Sequence, residues 1–421
     1  MDKGYAWVVM MATCLLQILY SCLLTSFGIF LVDITETTAY STGRIAWIGA
    51  IGATFCGVSG AFTGNFIDRY GCRKVVIVGS LMISTGYLLS AFVRNVNIQY
   101  FSLGILAGIG FNCYAVSSHV AASQWFSKRK SLALSIVMFG MSFGIFIWGP
   151  IARFLSFTFA WRGAMFVIAG IQLNGLVIAL LLRPPPKEKK PIEEQVKKEL
   201  EVQEKKNITF KLCDFTLCKD WLFMVYCVAN FCLLFGHVLP LILLPTKAET
   251  LKISKTKGAA LVSTLGACSC IGRPIVGYCA DKPWFNRRLL FASSSLVGGL
   301  LSAFSTLLNT FVLLMVYSSL IGFFSAFFMA LFASVGADLV GINKMPKAVG
   351  LLTTAHGFSF LSSIAISGQL CDFTGNTDAS FLLAGVIQTF SGILAFTVYF
   401  IHKRRLRHKE VKINTLIDGK I

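Results

Sequence analysis

One arginine lies deep inside an apolar stretch of this sequence. Arg273 is the one charged residue in the run from Gly258 to Cys279. A guanidinium within a bilayer costs about 2.5–3.5 kcal/mol on insertion scales, so we expect Arg273 to face a water-filled cavity and a binding partner. Its planar fork of donors matches a planar carboxylate, which can accept two parallel hydrogen bonds from it. The competing interpretation is structural, with Arg273 capping helix carbonyls or pairing within the bundle.

Three histidines add groups that exchange protons near neutral pH. His119, His237 and His356 lie in three separate apolar runs, and an unperturbed imidazole titrates near pH about 6.5. Pro240 follows His237 closely and frees a backbone carbonyl, and interrupted membrane helices often line binding sites. For each histidine alone, the competing interpretation is a neutral side chain that packs and forms hydrogen bonds.

The elements that must position these residues are membrane helices. Hydrophobic residues make up 55% of the chain and charged residues 14%, against about 25% charged residues in soluble domains, and the mean hydropathy is +0.72. A span of about 20 apolar residues crosses the hydrocarbon core. The sequence therefore predicts an all-α polytopic membrane protein with twelve transmembrane helices. The predicted spans are residues 5–32, 45–67, 75–93, 98–122, 131–153, 163–182, 220–244, 258–279, 289–308, 311–335, 348–370 and 379–401.

A polar central segment divides the spans into two groups of six. It begins at Arg183, continues with three prolines that stop the sixth helix, and ends at Lys219. Its Glu and Lys residues at i,i+4 spacing are compatible with either a short surface helix or a solvated tether. The predicted units are residues 1–182 as the N-terminal six-helix bundle, 183–219 as a cytoplasmic linker loop, 220–401 as the C-terminal six-helix bundle and 402–421 as a cytoplasmic basic tail.

The net charge of +19 follows the membrane topology. If both termini are cytoplasmic, 29 of the 38 Lys and Arg residues lie on the cytoplasmic side, 8 lie outside and Arg273 lies within a span. This is the positive-inside distribution and not a nucleic-acid-binding stripe. The loop 245–257 disagrees, because it places Lys247, Lys252, Lys255 and Lys257 outside. The thirteen cysteines form no metal-ligand pattern, so we expect neither a metal nor a cofactor.

A glycine-rich basic motif occurs at the same place in both halves. Gly64-Asn65-Phe66-Ile67-Asp68-Arg69-Tyr70-Gly71-Cys72-Arg73-Lys74 joins spans 2 and 3, and a degenerate copy around Gly277 and Asp281 joins spans 8 and 9. The motif resembles the loop signature of the major facilitator superfamily. The resemblance implies a 6+6 transporter fold with alternating access. Glycines in the motif allow a tight turn and close helix approach, and the charged residues are candidates for a conformational gate. The gate candidates are Gly64, Asp68, Arg69, Gly71, Arg73 and Asp281.

A sharper resemblance covers nearly the whole chain. Asp2-Lys3-Gly4-Tyr5-Ala6-Trp7 is similar to the signature with which monocarboxylate transporters begin, with Lys3 and Tyr5 as departures from it. Further motifs with this resemblance are Trp125 to Ala133, Trp161-Arg162-Gly163, Leu182-Arg183-Pro184, Gly272-Arg273-Pro274, Asp338-Leu339-Val340-Gly341 and Asp372-Phe373-Thr374-Gly375. The chain is identified as a divergent member of the monocarboxylate transporter family, solute carrier family 16.

The resemblance implies that Arg273 binds the substrate carboxylate. Proton-linked members are similar in having an acidic residue one turn before that arginine and a lysine in the first span, and this chain has Ser269 and Thr25 at those positions. Facilitated diffusion or exchange of a small organic anion or zwitterion is therefore the main hypothesis. The alternatives are a proton-coupled monocarboxylate symporter using the histidines, and a non-transporting receptor-like relative. We expect no enzymatic activity.

The remaining candidates for substrate binding are polar and aromatic residues. Asn112 lies in span 4, and Phe328 belongs to an aromatic pattern with Phe323, Phe324 and Phe327 in span 10, which favours a substrate with an apolar body if that face lines a cavity. The full set of predicted substrate-binding residues is Arg273, Thr25, Ser269, His237, His356, Asn112 and Phe328. The expected partners are the solute, the bilayer and, in the alternative, protons, with a single-span chaperone left open. The expected location is the plasma membrane.

Overall fold

The protein is described by a computed structural model that covers most of the chain outside the central linker. Described are residues 4–184 and 217–418, apart from residues 24, 26–29, 31, 32, 35, 36, 38–41, 94, 218, 283, 342, 343, 375 and 376. The predicted linker 183–219 therefore lies almost entirely outside the described residues, and so does the choice between a surface helix and a solvated tether.

The described chain is helical, as predicted. Helices form because apolar side chains favour the bilayer while every backbone N–H and C=O must find a partner within the segment. Span 1 includes Tyr5–Tyr20, span 2 consists of Thr42–Val58 and Gly60–Tyr70, span 3 is Cys72–Phe92, and span 4 consists of Val96–Gln99, a π-helical segment Tyr100–Leu106 and Ala107–Trp125. Spans 5 and 6 are formed by Lys130–Gln172 and Asn174–Leu181, and spans 7 to 12 are Trp221–Thr250, Lys255–Ala280, Arg287–Phe304, Phe311–Val340, Met345–Thr374 and Asp378–Asp418.

Twelve crossings follow from these helices. Among the described residues, nine helices are long and apolar enough to cross a membrane, or ten with the bent pair of span 2 counted as one crossing. One of them runs for 52 residues, 130–181, about 78 Å at 1.5 Å per residue. It is interrupted at Ala160, whose φ of 54° and ψ of 169° are not helical, and so supplies spans 5 and 6. Tyr5–Tyr20 adds the apolar first span.

Glycines and caps set the turns between spans. Gly71 has a φ of 82° between spans 2 and 3, and Gly341 has a φ of 85° after span 10. Both angles lie in the region that favours glycine. Asn286 begins span 9 by accepting hydrogen bonds from the backbone N–H groups of Arg288 and Leu289. We call the end of the bundle with the 2–3, 4–5, 8–9 and 10–11 loops the basic end, which is the predicted cytoplasmic side.

Spans 7 and 12 run well beyond their predicted ends. Span 7 continues to Thr250 because Lys247, 2% exposed, is partnered. Its ammonium lies 3.0 Å from the Asp378 carboxylate and 5.0 Å from the centre of the Phe381 ring. Lys247 is therefore helical and buried, which corrects its predicted place in the external loop. Span 12 continues without a break through residues 402–418, so the predicted boundary at residue 401 does not coincide with a helix end.

The two groups of six spans pack against each other mainly through spans 2, 5, 8 and 11. Span 2 contacts span 11, and span 5 contacts span 8, with further contacts of span 4 with span 11 and of span 5 with span 10. Glycines permit this approach: a Cβ atom at Gly57 would overlap the backbone of Gly357, and one at Gly64 would overlap that of Pro346. The contacts lie towards the basic end, where the halves meet directly.

Candidate functional site

Arg273 lies where spans 5 and 8 meet. Its residue is 4% exposed, and one guanidinium nitrogen, Nη1, donates to the backbone carbonyl of Met138 in span 5. The Nε–H group is buried and has no hydrogen-bond partner among the described residues. The ion pairs between described residues do not include Arg273. Among the described residues, the positive charge of Arg273 thus has one neutral acceptor, and burial of a charge with so few partners is costly.

His237 lies near this arginine, and Phe328 packs against His237. The imidazole of His237, in span 7, lies within the field of the Arg273 charge, and its ring meets that of Phe328 edge to face at 5.2 Å. The Nδ1 atom of His237 has no hydrogen-bond partner among the described residues, while the residue is partly exposed. Spans 7, 8 and 10 therefore bring together a guanidinium, an imidazole and an aromatic face.

A second cluster of rings lies one helical turn along span 10. Phe332 is flanked by His119 of span 4 at 5.3 Å and His356 of span 11 at 5.1 Å between ring centres. His119 is 3% exposed, and its Nδ1 lies 2.7 Å from the carbonyl of Ala115. Because a carbonyl only accepts, Nδ1 carries the proton. The Nε2 atoms of His119 and His356 have no partner among the described residues.

The other predicted binding residues are more dispersed. Ser269, one turn before Arg273, is 5% exposed and accepts a hydrogen bond of 3.3 Å from Ser325 in span 10. Thr25 is partly exposed and donates to the carbonyl of Ser21 in its own span at 3.1 Å. Asn112 is 1% exposed and donates to the carbonyl of Cys56, so it joins spans 2 and 4 inside the first half.

The aromatic pattern of span 10 divides into two groups. Phe323, Phe324 and Phe327 contact one another with ring centres 5.2–6.1 Å apart. Phe328 instead contacts His237. Successive residues of a helix point in directions about 100° apart. Side chains at positions i, i+1, i+4 and i+5 therefore cover a face broad enough to contact two different groups of side chains. Phe328 is the member of the pattern that belongs to the Arg273 cluster.

Asp281 holds three groups together at the basic end. Its two carboxylate oxygens accept hydrogen bonds from the backbone N–H groups of Ser131 at 3.0 Å and Leu132 at 2.9 Å, at the start of span 5. Arg287 donates to the same carboxylate at 2.8 Å and also lies 3.6 Å from Asp338. A carboxylate at a helix N-terminus satisfies orphan donors and interacts favourably with the helix dipole. Asp281 thereby ties the second half to the first.

The other copy of the motif makes a looser connection. Asp68 in span 2 forms an ion pair of 3.4 Å with Lys347 in span 11, and its side chain is 42% exposed. Arg69 stacks on Tyr70 at 5.3 Å, and Arg73 is exposed. Gly64 packs against Pro346 and Gly71 makes the turn. The six predicted gate residues thus lie at the basic end, and Gly64, Asp68 and Asp281 contact the opposite half.

Sequence reasoning did not find several partners at these positions. The acceptor for Arg273 is a backbone carbonyl, which no residue pattern indicates. Phe332 had a usable signal, because it follows Phe328 by four residues on the same helix. Gln17 of span 1 donates to Ser118 of span 4 at 2.7 Å, and its Oε1 is buried without a partner among the described residues.

Comparison with known proteins agrees with this architecture. The family model described as "Major Facilitator Superfamily" matches residues 13–291 and 226–415. The chain therefore belongs to the major facilitator superfamily. Its helical content and its two groups of six spans are those of this fold, as predicted.

Within the superfamily the chain is similar to monocarboxylate transporters. It is 28% identical over 410 residues to monocarboxylate transporter 12 of Xenopus laevis, covering 93% of this chain and 88% of the relative. It is 28% identical over 419 residues to human monocarboxylate transporter 12, covering 93% and 80%. Bovine monocarboxylate transporter 1 is 26% identical over 438 residues, covering 97% and 87%. The resemblance seen in the sequence motifs is confirmed.

Solved structures show the same fold at low sequence identity. The transporter FucP in an outward conformation superposes with a TM-score of 0.72 at 14% identity, covering 94% of this chain and 99% of FucP. The human organic anion transporter MFSD10 gives 0.72 with coverage of 93% and 100%. The chain is a multi-pass membrane protein of a secondary-transporter superfamily, and the relatives named here are transporters.

Proposed function

We propose that this transporter carries organic solutes bearing a carboxylate, and that Arg273 binds the carboxylate. The observation that carries the proposal is the state of the guanidinium: buried, bonded to one neutral carbonyl, and with its Nε–H group unpartnered among the described residues. An anionic ligand that accepts two hydrogen bonds from the fork would satisfy this group. An arginine with a purely structural role would be stabilised better by an ion pair with a carboxylate of the protein.

His237, Phe328 and Ser269 complete the proposed substrate site. His237 offers a ring nitrogen for a second polar contact, and Phe328 offers an apolar face beside it. Ser269 sits where an acid would compete with the substrate for Arg273. Thr25 and His356, both partly exposed, are proposed to contact the substrate from spans 1 and 11. Asn112 stays a prediction, and its bond to Cys56 gives it an alternative role in packing.

The bond between Arg273 and Met138 suggests how binding drives transport. Arg273 belongs to the second half and the Met138 carbonyl to the first. A carboxylate is a stronger acceptor for a guanidinium than a neutral carbonyl is, so the substrate would displace Met138 and remove one connection between the halves. The other contacts between the halves, among them those of Asp281 and Asp68 at the basic end, would then have to break. Binding energy thereby favours alternation between two states.

Facilitated diffusion or exchange is the proposed mode of transport. The positions that carry acid and lysine in similar proton-linked transporters hold Ser269 and Thr25. The second candidate is proton symport, and the observation that favours it is the pair of unpartnered Nε2 atoms on His119 and His356 beside Phe332. A receptor-like relative without transport would lack a reason to keep Arg273.

The proposed location is the plasma membrane, with both termini in the cytoplasm. Whether delivery to that membrane needs a single-span chaperone is settled by expressing the chain with and without candidate single-span proteins and measuring its surface fraction. Lipid is the remaining partner, since the exposed apolar side chains of the bundle face the bilayer.

Uptake measurements test this function. Cells expressing the wild type or Arg273→Gln receive a panel of labelled monocarboxylates, amino acids, carnitine and creatine at acid and neutral pH, with surface expression quantified. We expect saturable, pH-independent uptake that falls at least about tenfold in Arg273→Gln. Arg153→Gln is the matched control, since Arg153 lies at the opposite end with its side chain 69% exposed. Acid-stimulated uptake would favour the symporter, and equal uptake by Arg273→Gln would refute the proposed site.

A further inference from the structure

Span 2 is broken in its middle, and the break contacts the other half of the protein. One residue, Ser59, separates the helix Thr42–Val58 from Gly60–Tyr70, and the two axes differ by 46°. Sharp bends in helices occur at prolines, at Gly/Ser pairs, at π-bulges, or where a group is inserted into the hydrogen-bond ladder. The segment 42–70 contains no proline, but Ser59 and Gly60 at the break form a Ser-Gly pair that permits a bend, and a group from another helix is inserted at the same place.

The inserted group is the hydroxyl of Thr354 in span 11. Its Oγ1 accepts a hydrogen bond of 3.0 Å from the backbone N–H of Ala61. The same oxygen lies 3.3 Å from the carbonyl of Val58 and 3.0 Å from the carbonyl of Gly350, between which its single proton is shared. Ala61 is the second residue of the helix Gly60–Tyr70, the position whose N–H an N-cap side chain normally satisfies.

The residue in the N-cap position does not perform this role. Ser59 has helical backbone angles and its side chain makes no cap hydrogen bond. Its Oγ is buried without a partner among the described residues. The cap of Gly60–Tyr70 therefore comes from another segment, 293 residues away in the sequence.

Close packing fixes Thr354 in this position. Gly57 and Gly357 pack with their backbones in contact, and a Cβ atom on Gly60 would overlap both Thr353 and the carbonyl of Gly350. The Thr354 hydroxyl can reach Ala61 only while spans 2 and 11 stay this close. If the halves separate at the basic end, as the proposed alternation requires, Ala61 loses its cap and must bond within span 2 or to water.

We propose that Thr354 is a positioning residue of the transport cycle, which caps the second helix of span 2 from the opposite half and so stabilises the state closed at the basic end. The bend of span 2 is then a property of that state and disappears when the halves part. This inference rests on the alternation proposed above and not on the identity of the substrate or on Arg273.

Hydrogen exchange of the purified full-length protein in nanodiscs tests this proposal, with Thr354→Val as the variant. Loss of an N-cap changes an equilibrium by about two- to thirty-fold. We expect the exchange rates of amides in peptides covering 57–64 and 350–357 to rise by a factor in that range. Peptides from spans 9 and 12, which pack within one half, serve as the internal reference and should not change.

Two further variants keep the test specific. Thr353→Val removes the neighbouring hydroxyl, which bonds the carbonyl of Gly350 within its own helix at 2.9 Å, and should exchange like the wild type. Thr354→Ser retains the hydroxyl and should restore wild-type exchange. The proposal is overturned if Thr354→Val exchanges like the wild type, if Thr353→Val has the same effect, or if exchange rises equally in spans 9 and 12.

Substrate identity does not enter this readout. Arg273→Gln could leave uptake unchanged while Thr354→Val alters exchange where spans 2 and 11 meet. That result would refute the proposed substrate site and support the proposed cap. If uptake depends on Arg273 while Thr354→Val exchanges normally, the reverse holds. The two failures are therefore distinguishable.

Discussion

At the scale of single residues, the two acidic residues of the repeated motif are not equivalent. Asp281 accepts two backbone hydrogen bonds and pairs with Arg287, with its side chain 10% exposed. Asp68 makes one ion pair with its side chain 42% exposed. Hydrogen bonds to buried charged groups contribute about 1.5–3 kcal/mol each, whereas exposed ion pairs contribute about 0–1 kcal/mol. The halves are therefore joined more strongly through Asp281.

We expect Asp281→Asn to destabilise the protein more than Asp68→Asn. The amide keeps the shape but offers one accepting oxygen instead of two and no charge, so one N–H of Ser131 or Leu132 is left without a partner. We expect a loss of about 1–3 kcal/mol for Asp281→Asn and at most about 1 kcal/mol for Asp68→Asn. Thermal unfolding of the purified variants in one detergent measures the order, and an equal or reversed order of Tm would contradict this assignment.

The sequence predicts which residues of the site are buried better than it predicts their hydrogen-bond partners. Arg273 could be recognised as buried because a charge in an apolar run has few explanations. Its acceptor could not be predicted, because the Met138 carbonyl is common to every residue type and its position depends on how spans 5 and 8 cross. Lys247 was assigned to a loop for a related reason: the ion pair with Asp378 that makes its burial tolerable joins distant segments.

At the scale of elements, the seam between spans 2 and 11 depends on glycine. Gly57 and Gly357 allow the two backbones to touch, and small residues promote close approach of membrane helices. Such contact is lost when any side chain separates the helices. The seam is therefore both tight and sensitive to substitution at the positions where the halves meet.

Gly57→Ala is expected to prevent full closure at the basic end. The new methyl group would overlap the backbone of Gly357, which cannot move away as a flexible side chain could. We expect the rate of uptake to fall at least about tenfold at unchanged surface expression. The matched control is Gly266→Ala in span 8, where an added Cβ meets no atom within 4 Å. Similar uptake by Gly57→Ala and Gly266→Ala would mean that the seam does not have to close.

The elements themselves followed from the sequence, but their interruptions did not. Apolar runs located all the helices of spans 2 to 12, because only helices satisfy the backbone in lipid. The break at Ser59 carries no proline and depends on the hydroxyl of Thr354 in another span. The non-helical angles of Ala160 join spans 5 and 6 without a glycine or a proline at that residue. The hydroxyl of Thr354 comes from another helix, so the sequence around Ser59 does not reveal it.

At the scale of the whole molecule, the contacts between the two halves lie at the same end as the excess of basic residues. The halves meet at the basic end, through Asp281 with span 5 and through Asp68 with Lys347. The positive-inside rule predicts that this end faces the cytoplasm. The described state is therefore closed towards the predicted cytoplasm. The burial of Lys247 removes one of the four lysines that disagreed with this orientation, since its charge is matched by Asp378.

Epitope tags test the orientation of the whole chain. We expect tags at the N-terminus, after residue 421 and within the linker 183–219 to bind antibody only after the membrane is permeabilised. A tag beside Lys252, an exposed residue between spans 7 and 8, should bind antibody on intact cells. The opposite labelling would invert the topology and would place the contacts of Asp281 on the outer side.

The most direct measurement of the central claim is ligand stabilisation of the purified transporter. A carboxylate identified by uptake and its neutral primary amide are compared by thermal unfolding, with wild type and Arg273→Gln. Because a ligand that binds the folded state raises Tm, we predict that the acid raises the Tm of the wild type while the amide does not, and that neither stabilises Arg273→Gln. Equal stabilisation of Arg273→Gln by the acid would show that the carboxylate is bound elsewhere.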